Sequence, residues 1–261
     1  MKTKNGLVLI VIGILLIATS SIGSDSKKIR GNKQMAKEKG FAVIELFTSE
    51  GCSSCPPADQ LVSKILNENK ENVYILSFHV DYWNRLGWKD VFSQAAFSER
   101  QQLYASHLSF EGVYTPQIVV NGTEQFVGSD EDRLRASLSN NIKQPSTLTL
   151  EVTQTNKSDV HLVYNNANIG EFLNIAFVQP EAVTDVKRGE NGGRKLHHVN
   201  IVREFKTIEA SGSGNLDIKV AAEIRELPFK IIVYTQQKNS FKITGAAETA
   251  VAFNGNTHKK I

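Results

Sequence analysis

Phe41-Ala42-Val43-Ile44-Glu45-Leu46-Phe47 is followed five residues later by Cys52-Ser53-Ser54-Cys55, then by Pro56-Pro57-Ala58-Asp59 and a stretch of helical apolar spacing. The first run reads as a strand and the last as a helix. The two cysteines between them are the only ones in the chain. A residue type used only as a CxxC pair is seldom there for packing. Set between strand and helix, the pair points to dithiol redox chemistry.

Working outward, Val73–Val80 is a near-continuous apolar run of strand length, as expected for a strand covered on both faces. Phe92–Leu108 carries apolar residues at helical spacing. Gln117–Val120 and Gln125–Val127 flank the hairpin signal Asn121-Gly122. Asp130–Ile142 reads as a further helix. The order β-α-β-α-β-β-α, with right-handed crossovers, places the first two strands parallel. Past Pro145 the period changes to two, as in Leu148, Leu150 and Val152, and again in Val160, Leu162 and Tyr164. More strand-like runs follow at 172–178, 195–205, 216–220 and 230–235. Short strands with polar turns argue for a β-sandwich. The expected architecture is therefore an α/β domain over 40–144 and an all-β sandwich-like domain over 145–261.

The N-terminus has the order of a secretory signal. Lys2 and Lys4 precede the apolar run Leu7–Ile17, and small residues follow from Ala18 to Ser24. That run is shorter than the roughly 20 residues needed to span a bilayer. Residues 1–23 read as a signal peptide, with an uncleaved anchor as the alternative, and 24–39 as a polar linker. Any membrane attachment would run through this segment alone. The expected location is extracytoplasmic, periplasmic or secreted, where disulfides persist. A net charge of +3 over 261 residues gives no reason to expect nucleic acid as a partner.

With CxxC after the first strand, the chain resembles the thioredoxin superfamily. Thr115-Pro116 stands where that superfamily keeps a cis-proline facing the dithiol. At closer range the chain resembles a family of secreted proteins catalogued as domain of unknown function 1223. The resemblance is carried by Glu45–Asp59, His79–Gln101, Tyr114–Gly122 and Arg188–Glu204. It implies a thioredoxin-like domain followed by a β-rich one, and supplies no substrate. Gly51 stands where thioredoxins usually carry a tryptophan.

The chemistry follows from the residues. A free thiol has a pKa of about 8.5, and a helix N-terminus lowers it. Cys52 is then the attacking thiol and Cys55, about a turn inward, the resolving one. The pair is a redox-active disulfide that needs no other cofactor. Its partners would be protein thiols or disulfides, or a redox partner protein. Glu45 interrupts an apolar strand leading to the dithiol, so it reads either as a buried proton acceptor for Cys55 or as a solvent-facing edge residue. His79, Asp81 and Trp83 end the second strand and are placed to rim the cleft, with Tyr114 and Thr115 opposite as substrate contacts beside Pro116. The tryptophans read equally as core. A Cys52, Cys55 and His79 set also suits copper, which gives a second reading as a non-catalytic binding module. Arg188–His198 reads as a basic hairpin, or as a loop docked near the cleft. His197 and His198, adjacent on a strand, point to opposite faces.

Overall fold

The structure, a computed structural model, describes residues 40–68, 71–143, 145–154, 158–225 and 227–251. The signal-like segment and the polar linker lie outside the described residues. Through the first half the elements run β1 (Ala42–Thr48), α1 (Pro56–Glu68), β2 (Val73–His79), α2 (Ala95–His107), β3 (Gln117–Val120), β4 (Glu124–Val127) and α3 (Glu131–Asn141). This is the expected order, and β1 and β2 pair in parallel. There follow β5 (Thr149–Gln154), β6 (Asp159–Asn165), β7 (Phe172–Asp185), β8 (Lys195–Glu209), β9 (Gly214–Lys219), β10 (Phe229–Gln236) and β11 (Ile243–Val251).

The architecture departs from the expected α/β thioredoxin-like domain followed by a sandwich. One mixed sheet of eight strands, in the order β11-β10-β7-β8-β2-β1-β3-β4, runs through both halves of the sequence. The described residues are predominantly β, with three α-helices. The join is at β2, where Ser77 pairs in parallel with Ile201 of β8. The Ser77 hydroxyl donates to the Val199 carbonyl at 2.7 Å across the same seam. The physical reason lies in β2 itself. It is apolar on both faces and almost wholly buried, so an open edge there would leave its backbone groups unpaired. The period-two signal past Pro145 was a sound strand signal. It said nothing about which sheet the strands would join.

The core records the same continuity. Along β1, Ala42, Ile44 and Leu46 pack with Ala58, Leu61, Val62 and Ile65 of α1. The alternate residues Val43 and Phe47 face the other way, into a cluster with Phe97 and Tyr104 of α2. That second cluster also holds Val178, Val202, Ile232 and Tyr234, so α2 covers strands from both halves. The remaining strands β5-β6-β9 form a small sheet. It packs through Leu150, Val160 and Leu162 onto Ile175, Phe177 and Ile231 of the large one. The sandwich-like layer is thus three strands against an extension of the first sheet.

Candidate functional site

Cys52 and Cys55 form a disulfide with their Cα atoms 5.4 Å apart. Cys55 immediately precedes α1, and its carbonyl accepts from the N–H groups of Ala58 and Asp59 at 2.9 and 3.1 Å. Pro56 and Pro57 begin the helix, where a missing N–H costs no intrahelical bond. Cys52 lies ahead of the helix, in a turn closed by the Cys55 N–H on its carbonyl. The Ser54 hydroxyl is 3.3 Å from Cys52 Sγ. Ser53 and Ser54 are exposed, whereas both cysteines have no exposed surface. Only Cys55 was expected to lie inward, and Cys52 is buried as completely.

The tip of the β7–β8 hairpin closes onto the turn that carries the cysteines. Glu190 accepts from the Ser53 N–H at 3.1 Å and the Ser53 hydroxyl at 2.7 Å. These two donors hold its exposed carboxyl below the usual range. The buried Asn191 amide donates to the carbonyls of Glu50 and Cys52, at 2.9 and 2.8 Å. Gly189 closes against Trp88: a Cβ there would stand 3.1 Å from the tryptophan Cβ. Its positive φ of +75° also suits glycine. The loop reading of Arg188–His198 therefore holds in its docked form.

Behind the disulfide lies a knot of ionisable side chains. Glu50, Asp59, His79, Asp90 and His198 are all buried. His79 Nδ1 and Asp90 Oδ2 are 2.7 Å apart. Burial opposes charge on His79, but the carboxylates of Asp90, Asp59 and Glu50 outweigh it and raise its pKa. Burial likewise works against the Asp90 anion. His79 and the backbone N–H groups of Glu50 and Phe92 outweigh it and hold Asp90 low. Glu50 takes the Trp88 indole N–H at 2.7 Å on one oxygen. Burial, with Asp90 beside it, pushes the Glu50 carboxyl up. His198 stands edge-on to His79, ring centroids 4.8 Å apart. Its ring nitrogens lie 3.4 Å from Asp59 and 3.8 Å from Glu50.

Residues 43–236 match the family described as protein of unknown function (DUF1223). The chain belongs to that family. The matched span takes in the disulfide, the hairpin tip and all five buried ionisable residues. A crystal structure of protein AGR_C_4864 from Agrobacterium tumefaciens is similar at 29% identity, with a TM-score of 0.65, covering 85% of this chain and all of that one. HBP35 of Porphyromonas gingivalis shares the fold at 15% identity and a TM-score of 0.57, over 87% of this chain and 80% of that one. Comparison with curated proteins finds no match.

Several residues singled out in the sequence do meet at this DUF1223 site. The Thr115–Pro116 bond is cis, and the Ser54 hydroxyl donates to the Thr115 carbonyl at 3.4 Å. The Trp83 indole donates to the Thr115 hydroxyl at 2.8 Å, joining the two rims. Tyr114 sits in the same loop, its hydroxyl on Gln125. Asp81 turns away, accepting from the Ser98 hydroxyl at the first turn of α2. Glu45 is the clear correction. It is buried, but on the α2 face of β1, opposite α1. There Arg100 donates to both its oxygens at 2.6 and 2.8 Å, and Tyr104 and Tyr234 add hydroxyl donors. It is committed to a buried ion pair and does not lie beneath the dithiol. For the copper reading, His79 Nδ1 is held by Asp90. Among the described residues no three of His, Cys, Asp and Glu are grouped to hold a metal ion. Sequence reasoning missed Glu50, Asp59 and Asp90 as site residues, and named His198 only as the end of a hairpin that could dock near the cleft. Only Asp59 carried a signal: it lies four residues after Cys55, in the first turn of α1.

Proposed function

We propose that this protein is a thiol-disulfide oxidoreductase acting outside the cytoplasm on protein thiols or disulfides, through the Cys52–Cys55 pair. The observation that carries the reading is the placement of the chain's only two cysteines, disulfide-bonded at the head of α1 and lined by the Thr115-Pro116 loop. In the reduced form Cys52 is the nucleophile. The positive end of the helix dipole favours its anion. The two prolines remove N–H groups that would otherwise assist, and the Ser54 hydroxyl, 3.3 Å from Cys52 Sγ, can assist only by leaving the Thr115 carbonyl. Access requires the hairpin tip to lift, since Glu190 and Asn191 close over the turn.

The test is turnover and trapping with a disulfide-bonded peptide. The reduced protein should exchange with it. Cys55→Ser should accumulate a mixed disulfide on Cys52, and Cys52→Ser should do neither. No exchange by the wild type and no trapped adduct would refute the reading. The complete burial of both cysteines favours a second reading, a binding module in which the disulfide is a static cross-link. In that case the native pair resists reduction and no adduct forms.

A further inference from the structure

Four nitrogen and oxygen atoms behind the disulfide have no hydrogen-bond partner among the described residues: Glu50 Oε1, His79 Nε2, and both ring nitrogens of His198. A buried polar atom without a partner is costly. Four converging in one place, next to a disulfide, call for a function. The arrangement of the groups suggests which. His198 bridges two carboxylates, with Nδ1 3.4 Å from Asp59 and Nε2 3.8 Å from Glu50. Asp59 lies in the first turn of α1, four residues after Cys55, with its N–H on the Cys55 carbonyl at 3.1 Å, and its other oxygen takes the Thr48 hydroxyl at 3.2 Å. Glu50 is two residues before Cys52.

We propose that Asp59, His198 and Glu50 form a proton relay for Cys55. The proposal rests on the oxidoreductase reading and extends it. When a client thiolate attacks Cys52 Sγ, a client–Cys52 disulfide forms and the Cys52–Cys55 bond breaks. Cys55 leaves with the bonding electron pair as a thiolate in a site without solvent exposure. Asp59 delivers a proton to it and is refilled through His198 from Glu50. A second thiol of the client then attacks its own mixed-disulfide sulfur and releases Cys52, whose thiolate takes a proton from solvent. The client dithiol loses two electrons and releases two protons to solvent; the cysteine pair gains two electrons and two protons, one from solvent and one from the relay, and Glu50 regains its proton from solvent while the hairpin tip is lifted. In the opposite direction the relay accepts the Cys55 proton as the disulfide closes.

The remaining ionisable and polar neighbours fit this division of labour. His79 and Asp90, from β2 and the segment before α2, are engaged with each other at 2.7 Å and form a fixed pair. The Trp88 indole donates to Glu50 Oε2 at 2.7 Å and holds it in place. His198 arrives on β8, on the strand that carries the hairpin tip, so the relay is complete only when the second half of the chain is docked. Asp59, His198 and Glu50 are thus positioning and proton-carrying residues, while the sulfurs do the covalent chemistry.

The experiment is stopped-flow opening of the native disulfide by a small dithiol between pH 5 and 9, with the rate corrected for thiolate concentration. Asp59→Asn and His198→Gln should slow opening by about tenfold or more, and the corrected rate should lose its dependence on pH. As a readout independent of folding in the variants, the ring nitrogens of His198 are compared by NMR in oxidised and reduced wild type at one pH. Their signals should move on reduction, reporting a change in which ring nitrogen carries the proton. A wild type that opens normally, with variants that keep its rate or its pH profile, overturns the relay and leaves the oxidoreductase reading standing. His198 ring signals unchanged on reduction also overturn the relay. A wild type that does not open at any pH overturns the reading beneath it.

Discussion

Glu45→Gln offers a severe test of the structure, because sequence and structure give opposite answers. Taken as an unpaired acid in an apolar strand, Glu45 should be replaceable by glutamine with no loss of stability. The structure instead pairs it with Arg100 at 2.6 Å, both groups nearly free of solvent. The guanidinium is also enclosed by the rings of Phe78, Tyr104, Phe205 and Tyr234, at 4.7 to 5.9 Å. Glutamine would leave a cation there with no countercharge, and arginine cannot escape by losing its proton. Breaking a buried pair in this way costs about 3–5 kcal/mol. Against a total stability of about 5–15 kcal/mol, that is a large fraction. Arg100→Met should cost less. It keeps an apolar chain among the rings, and the stranded Glu45 retains two tyrosine hydroxyl donors and can become protonated. The double variant should recover part of the loss, since neither charge is then stranded. Urea unfolding at pH 7, followed by circular dichroism and tryptophan fluorescence, gives the three values at constant slope. A Glu45→Gln protein as stable as wild type, or more stable than Arg100→Met, would refute the reasoning. Glu45→Gln should also leave disulfide opening at the wild-type rate, in contrast to Asp59→Asn.

Two further outcomes are expected. Asn191→Ala removes two buried hydrogen bonds from the hairpin tip, a loss of about 1–3 kcal/mol; it should speed reduction of the disulfide by a small thiol about tenfold or more, and an unchanged rate would show that the tip does not limit access. His79 binds its proton more tightly folded than unfolded, so the stability it contributes is full below a pH of about 6.5 and is lost as pH rises through its raised folded value. Asp90, held low, contributes fully above about pH 3.9 and loses that contribution as pH falls through its folded value. Unfolding free energy measured across pH should therefore decline on the alkaline side in wild type and not in His79→Gln.

Much of the local structure was legible in the chain. The element order through Asn141, the turn at Asn121-Gly122 and the strand signals past Pro145 follow from periodicity and turn residues, which are short-range properties. The partners of those elements were not. β8 meets β2 through residues 124 apart in sequence, at Ser77 and Ile201, and an apolar strand advertises that it will be covered without naming the cover. The same holds in the site. Alternation along Phe41–Phe47 could show that Glu45 opposes its neighbours in direction, but not that Arg100 waits on that face. His198 was correctly separated from His197, which is exposed near Glu181. Its destination between Asp59 and Glu50 depends on the docking of β8, which no local pattern encodes. What the sequence did show was the cysteine pair and its helix, because those are adjacent in the chain; the Thr115-Pro116 loop, 61 residues from Ser54, was placed by the superfamily resemblance.

The most direct measurement for the central claim is a redox titration of the native protein. The protein is equilibrated across a series of reduced to oxidised glutathione without denaturant, quenched in acid, alkylated and weighed by mass spectrometry. The account predicts a single two-electron transition in which Cys52 and Cys55 gain two alkyl groups together while the fold is retained. Reduction that occurs only after the protein is unfolded would contradict it, and would make the disulfide a fixed cross-link.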